Sequence, residues 1–104
     1  MMSAVQVTPW AGSGIPTRSA LTTLLMDEGL SPYAWSNGPF DTYAAHSHTY
    51  NKVICVAQGS ITFDLPDEGR ALELHPGDRL DLPAGVVHAA RVGSQGVVCL
   101  EAQG

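Results

Sequence analysis

From Pro32 onward, short runs rich in Val, Ile, Leu and Tyr are broken by Gly, Pro, Asn or Asp at a spacing of roughly eight to twelve residues, the rhythm of an all-β sandwich or barrel. The breaks fall at Asn37-Gly38, Gln58-Gly59-Ser60, Pro66-Asp67-Glu68-Gly69, His75-Pro76-Gly77-Asp78, Pro83-Ala84-Gly85 and Gly93-Ser94-Gln95-Gly96. Each predicts a turn. The strands expected between them are Tyr33–Ser36, Asp41–Ala45, Tyr50–Ala57, Ile61–Leu65, Ala71–Leu74, Arg79–Leu82, His88–Val92 and Val97–Glu101. Two runs, from Lys52 to Ala57 and from Val97 to Leu100, are apolar at successive positions, so both faces of each need cover. One face would look into a barrel; the other would lie under a helix or against a second subunit.

Upstream, a Gly/Pro-rich loop from Ala11 to Pro16 separates a short expected strand, Ala4–Val7, from a single helix. Thr17 can cap its start, Leu21, Leu24 and Leu25 share one face, and Gly29 can take the left-handed position just past its end. Leu30 would then fold back onto Leu25. Residues 1–31 therefore read as an N-terminal extension carrying a short helix and residues 32–104 as the β-barrel, one structural domain overall.

Charged residues are 14% of the 104, against roughly 25% in an average soluble protein. So little charge to cover the fold, together with the doubly apolar strands, predicts a homodimer. Ten acidic and five basic side chains give a net charge of −5, with no run of Lys or Arg. Nucleic acid and anionic membrane surfaces are poor partners for such a chain. The opening MMSAVQVTPW has neither a basic start nor a long apolar core, and no apolar stretch approaches the ~20 residues that span a bilayer, so the protein reads as cytoplasmic. Cys55 and Cys99 sit inside apolar runs without metal-finger spacing and are expected as buried, reduced thiols.

Candidate chemistry gathers at His46-Ser47-His48 and at His88, just after the Pro83-Ala84-Gly85 turn. On a strand His46 and His48 would point the same way. Alone, such a pair also occurs on ordinary surface strands. With a third neutral imidazole it can hold a metal and leave coordination positions open for water or substrate.

These residues resemble the two motifs of the cupin superfamily, G(X)5HXH(X)3,4E(X)6G and G(X)5PXG(X)2H(X)3N. Gly77, Pro83, Gly85 and His88 match the second in register, and only its final Asn differs, as Val92. In the first, His46, His48 and the closing Gly59 are in place; Phe40 stands at the opening glycine, and Lys52 stands where the family has Glu. The resemblance implies a cupin double-stranded β-helix, a jelly-roll barrel of two facing antiparallel sheets, with a divalent transition metal (Fe, Mn, Ni, Cu or Zn) on His46, His48 and His88. The superfamily includes dioxygenases, decarboxylases, isomerases, storage proteins and sugar-binding modules, so the fold does not settle the function.

Lys52 has the parity of His46 and His48 and starts toward the interior unless a bulge intervenes. An ammonium cannot ligate a cation, and about 5 Å from a divalent ion, at an effective dielectric of about 20, it would be repelled by some 6–7 kcal/mol. Its pKa could be depressed, it could bend onto Asp41, Asp81 or Glu101, or an anion could sit between it and the metal; alternatively the metal site has decayed and Lys52 is a structural ion-pair partner. Tyr43 and Tyr50 share the parity of His46 and are candidates to line a ligand cavity or to fill the core. Trp10 and Trp35 read as packing residues, His75 as a solvated turn residue, and Asp81 as an ion-pair partner of Arg79.

Two functions stay open. One is a metalloenzyme, a dioxygenase or isomerase, in which the three histidines hold the metal and Lys52 acts catalytically by stabilising negative charge on a small anionic molecule. The other is a non-catalytic ligand-binding or sensing module with a degenerate metal site.

Overall fold

The structure is a computed structural model that describes residues 4–104; the first three residues of the opening segment lie outside it. Among the described residues, seven strands and one helix follow one another as β1 (Gln6–Thr8), α1 (Arg18–Asp27), β2 (Tyr33–Asn37), β3 (Thr42–His46), β4 (Lys52–Leu65), β5 (Arg70–Leu74), β6 (Arg79–Leu82) and β7 (His88–Gln103). All pairings are antiparallel, in the order β1-β6-β4-β7-β2, with β3 added on β7 and β5 on β4. The long strands β4 and β7 pair with each other from Lys52↔Gln103 to Asp64↔Ala89 and form the spine. At one end they carry β6 and β2, at the other β5 and β3. The result is the expected all-β jelly-roll barrel with one short N-terminal helix.

Two of the expected turns are not chain reversals. Gln58-Gly59-Ser60 and Gly93-Ser94-Gln95-Gly96 lie inside β4 and β7, so four expected strands merge into two. Gly59 and Gly96 both have positive φ, 74° and 71°, and a Cβ on Gly59 would come within 2.0 Å of the Gly96 carbonyl oxygen. Glycines in this conformation bend a strand and leave its ladder running, with register shifts at Val56/Gln58 and Gly59/Ile61. The bend also changes the parity of burial. Ile54 and Val56 face the barrel core before it, and Ile61, Phe63 and Leu65 after it; in β7 the change is from Ala90 and Val92 to Val97 and Cys99.

Residues of the opposite parity, Val53, Cys55 and Ala57 of β4 with Leu100 of β7, form a second core against Leu21 and Leu25 of the helix. The cover that both doubly apolar runs require therefore comes from α1. The helix is set by the signals read in its sequence. Thr17 accepts a hydrogen bond from the Ala20 amide at 3.1 Å, Gly29 has φ 83°, and the Gly29 and Leu30 amides donate to the Met26 and Leu25 carbonyls. Burying Leu21 and Leu25 completely stabilises this docking by about 1.5–3 kcal/mol each. Cys55 and Cys99 are both buried and free, and burial pushes their thiols up to about 11 and about 12. No helix among the described residues is long and apolar enough to cross a membrane.

Candidate metal centre

Strand pairing brings two of the three histidines together. His46 ends β3, His88 begins β7, and they are direct partners across the ladder, beside an irregularity between Tyr43 and His46 that re-aims the end of β3. His48 lies beyond the strand, so strand alternation is not what turns it inward. The connection from β3 to β4 is instead tied to the Pro83-Ala84-Gly85 turn: the Gly85 amide donates to the His48 carbonyl at 2.8 Å and the Ala84 amide to Asn51 Oδ1 at 2.9 Å. With Gly85 at φ 83°, this turn serves as a clamp for the histidine segment. His46, His48 and His88 each offer a ring nitrogen, and these atoms lie within 4.8 Å of one another.

The tautomers are set by neighbours. Nδ1 of His46 lies 2.7 Å from the Ala44 carbonyl oxygen, and Nδ1 of His88 lies 2.9 Å from that of Val86. A carbonyl only accepts, so both Nδ1 atoms carry the proton and both Nε2 lone pairs are free. His48 Nε2 lies 3.1 Å from Lys52 Nζ. An ammonium only donates, so here too Nε2 presents its lone pair. Burial holds the pKa of His88 below the usual histidine value and outweighs the upward pull of the Val86 carbonyl. His48 is lowered by burial first and then by the charge of Lys52. A free ring-nitrogen lone pair is what a metal requires of each histidine, and the donor set fits a divalent transition metal.

Lys52 points inward and bends onto an acid: its ammonium lies 3.0 Å from Glu101 Oε2, and both side chains are nearly buried. Glu101 also accepts from the Tyr33 hydroxyl at 2.5 Å and from Trp35 Nε1 at 3.1 Å. The bond to Glu101, reinforced by burial, pushes the Tyr33 phenol up to about 12. Among the described residues no buried side-chain polar atom lacks a partner.

Beside this network is a cavity of about 270 Å³. His46, His88, Lys52 and Glu101 supply its polar lining, Ile54, Ile61, Phe63 and Ala90 its apolar floor, and Tyr33, Trp35 and Tyr43 the remaining aromatic wall. Tyr43 donates its hydroxyl to Asn37. Tyr50 is not part of the lining; its ring stacks on His48 with centroids 5.2 Å apart. His75 is exposed beside Glu73, and Asp81 pairs with Arg79, which also reaches Glu28.

Tyr33 escaped the sequence, Trp35 was expected only to pack, and Glu101 was weighed only as one of three partners for Lys52. A signal for Glu101 was present: it is the lone acid closing the apolar run from Val97 to Leu100.

The fold is that of solved cupin structures, and the histidine spacing fits the cupin motif. No protein-family model matches the chain, and no curated protein resembles it closely enough to count as a match. Solved structures do. A cupin superfamily protein from Desulfitobacterium hafniense is 16% identical over 99% of this chain and 79% of its own, with a TM-score of 0.62. The polyketide cyclase RemF from Streptomyces resistomycificus is 28% identical over 71% of this chain and 54% of its own, with a TM-score of 0.63. The DMSP lyase DddQ from Ruegeria pomeroyi is 23% identical over 71% of this chain and 37% of its own, with a TM-score of 0.64.

Proposed function

We propose that this protein is a metal-binding cupin that holds one divalent transition metal on His46, His48 and His88 and binds, or acts on, a small anionic molecule in the adjoining cavity. The observation that carries this reading is the convergence of three imidazole nitrogens within 4.8 Å, two of them fixed in the ligating tautomer by backbone carbonyls. When bound, the metal would supply Lewis acidity at its open positions. The chain's own contribution is to aim three ring nitrogens at one point, to present an ammonium beside them and to offer an apolar floor to the body of the ligand. Two similar structures are enzymes by name, a polyketide cyclase and a DMSP lyase, which supports a catalytic role without naming a substrate. Tyr33 and Tyr43, which line the cavity, and Phe40 leave large aromatic surface exposed. That surface supports a homodimer.

A second reading, a sensing or carrier module without turnover, is favoured by one contact: Lys52 already occupies the lone pair of His48. Metal analysis by mass spectrometry decides first. One equivalent of a divalent metal should copurify or be taken up on titration, and His46→Ala, His48→Ala and His88→Ala should each lose it while keeping a β-rich fold. Full metal occupancy in all three variants would place the site elsewhere. Oxygen-consumption assays with small diketones and thiol acids then separate enzyme from binding module.

A further inference from the structure

Lys52 donates to His48 Nε2 at 3.1 Å and to Glu101 at 3.0 Å, so one ammonium bridges a metal-site imidazole and a buried carboxylate. The imidazole has a single lone pair at Nε2. Metal–nitrogen bonds measure about 2.0–2.1 Å, so a metal on the same lone pair would lie as close as about 1 Å to the present ammonium position. The two cannot coexist. We propose that Lys52 is a tethered stand-in for the metal: it occupies the ligating lone pair of His48 when no metal is bound, and metal loading moves its ammonium into the cavity, where it becomes the binding group for an anion. This rests on the metal-binding reading above.

Glu101 makes the exchange workable. Its carboxylate is held by Tyr33 and Trp35 independently of Lys52, so the ammonium can leave His48 and keep its counterion. The remaining room on that side is the cavity lined by Tyr33, Tyr43 and the apolar floor. In the loaded state the cavity thus presents a metal with open positions and an ammonium on one wall, over Ile54, Ile61 and Phe63. The ligand class that matches is a carboxylate or enolate with a compact apolar body. An anion between the two cations relieves their repulsion, so metal and anion should each tighten the other's binding by the same factor.

Calorimetric titration with Co(II), in the presence and absence of benzoate as a probe anion, tests this on the wild type, Lys52→Met and the double variant Lys52→Met/Glu101→Gln. The double variant removes the competing ammonium without leaving a bare buried carboxylate. Wild-type affinity for Co(II) should rise about tenfold with saturating benzoate, within the range usual for coupled sites. Both variants should bind Co(II) more tightly than wild type without benzoate and should lose most of the benzoate effect. A gain confined to Lys52→Met would assign the effect to the exposed charge of Glu101 and overturn the stand-in role. Equal Co(II) affinity in all three proteins, or no benzoate effect on the wild type, would overturn it as well and leave the metal site standing. Absence of Co(II) binding in all three would remove the metal-binding reading itself.

Discussion

Two ion pairs cross the same two strands in the same way and do different things. Asp64 of β4 reaches Arg91 of β7, and Lys52 of β4 reaches Glu101 of β7; each pair is diagonal on the ladder, two positions off direct register. They differ in the face they occupy. Arg91 holds Asp64 by two parallel bonds at 2.9 and 3.0 Å on the open outer surface, where water screens the charges. Lys52 and Glu101 lie on the core parity of β4 and β7, with side chains only 11% and 7% exposed. A pair in the first setting ties strands loosely and can be lost. In the second, each charge depends on the other, because an unpaired charge there has no water to turn to.

Removing one partner of each pair should separate them most sharply. Glu101→Ala strands the Lys52 ammonium beside His48 and leaves the Tyr33 hydroxyl and Trp35 N–H without their acceptor, and it should cost about 3–5 kcal/mol in urea unfolding. Lys52→Glu comes next. It restores the cupin pattern but sets a second carboxylate against buried Glu101, so without metal the variant should unfold at clearly lower urea concentration than wild type. Saturating Zn(II) should recover most of that loss, because metal binding to the folded state alone adds stability by mass action. Urea curves of this variant with and without Zn(II) that superimpose would show that residue 52 does not face the metal.

The pH dependence sharpens the same contrast. His48 and His88 have folded pKa values below the ordinary 6.5, so as pH drops through about 6.5 the unfolded chain takes up protons that the folded one refuses. Stability should therefore be full above that pH and decline below it until the folded rings protonate, and His88→Gln should reduce the slope. The Asp64 carboxyl, lowered by its bond to Arg91, gives a reference of the same sign in a more acidic window: its small contribution is present above the usual carboxylate pKa and fades as pH falls through its lowered value. The smallest expected effect is that of Asp64→Asn, whose urea midpoint at neutral pH should be indistinguishable from wild type.

Much of this was legible in the sequence. The Thr17 cap, the Gly29 and Leu30 ending of the helix, the Arg79–Leu82 strand and the register from Gly77 to His88 are local signals, and local geometry preserves them. The merging of strands at Gly59 and Gly96 was not legible, because a positive-φ glycine bends a strand and reverses a chain with the same composition. The change in apolar parity, from Ile54 and Val56 to Ile61 and Phe63, is the trace that a bulge leaves in the pattern. The histidines were found by spacing, yet His48 is turned inward by hydrogen bonds to a turn more than thirty residues away, which is outside the reach of periodicity. Glu101 entered the site through long-range pairing of β7 with β2 and β4, and so did Tyr33.

The central claim is that three imidazoles converge through Nε2 on one metal. Nitrogen-15 spectra of the histidine rings during Zn(II) titration test it most directly. The account predicts that in the metal-free protein His46, His48 and His88 show the Nδ1–H tautomer, and that their three Nε2 signals shift together and saturate at one equivalent, with His75 unmoved. Signals of His46 and His88 that shift while His48 keeps its metal-free Nε2 resonance, or no shift in any of the three, would contradict it.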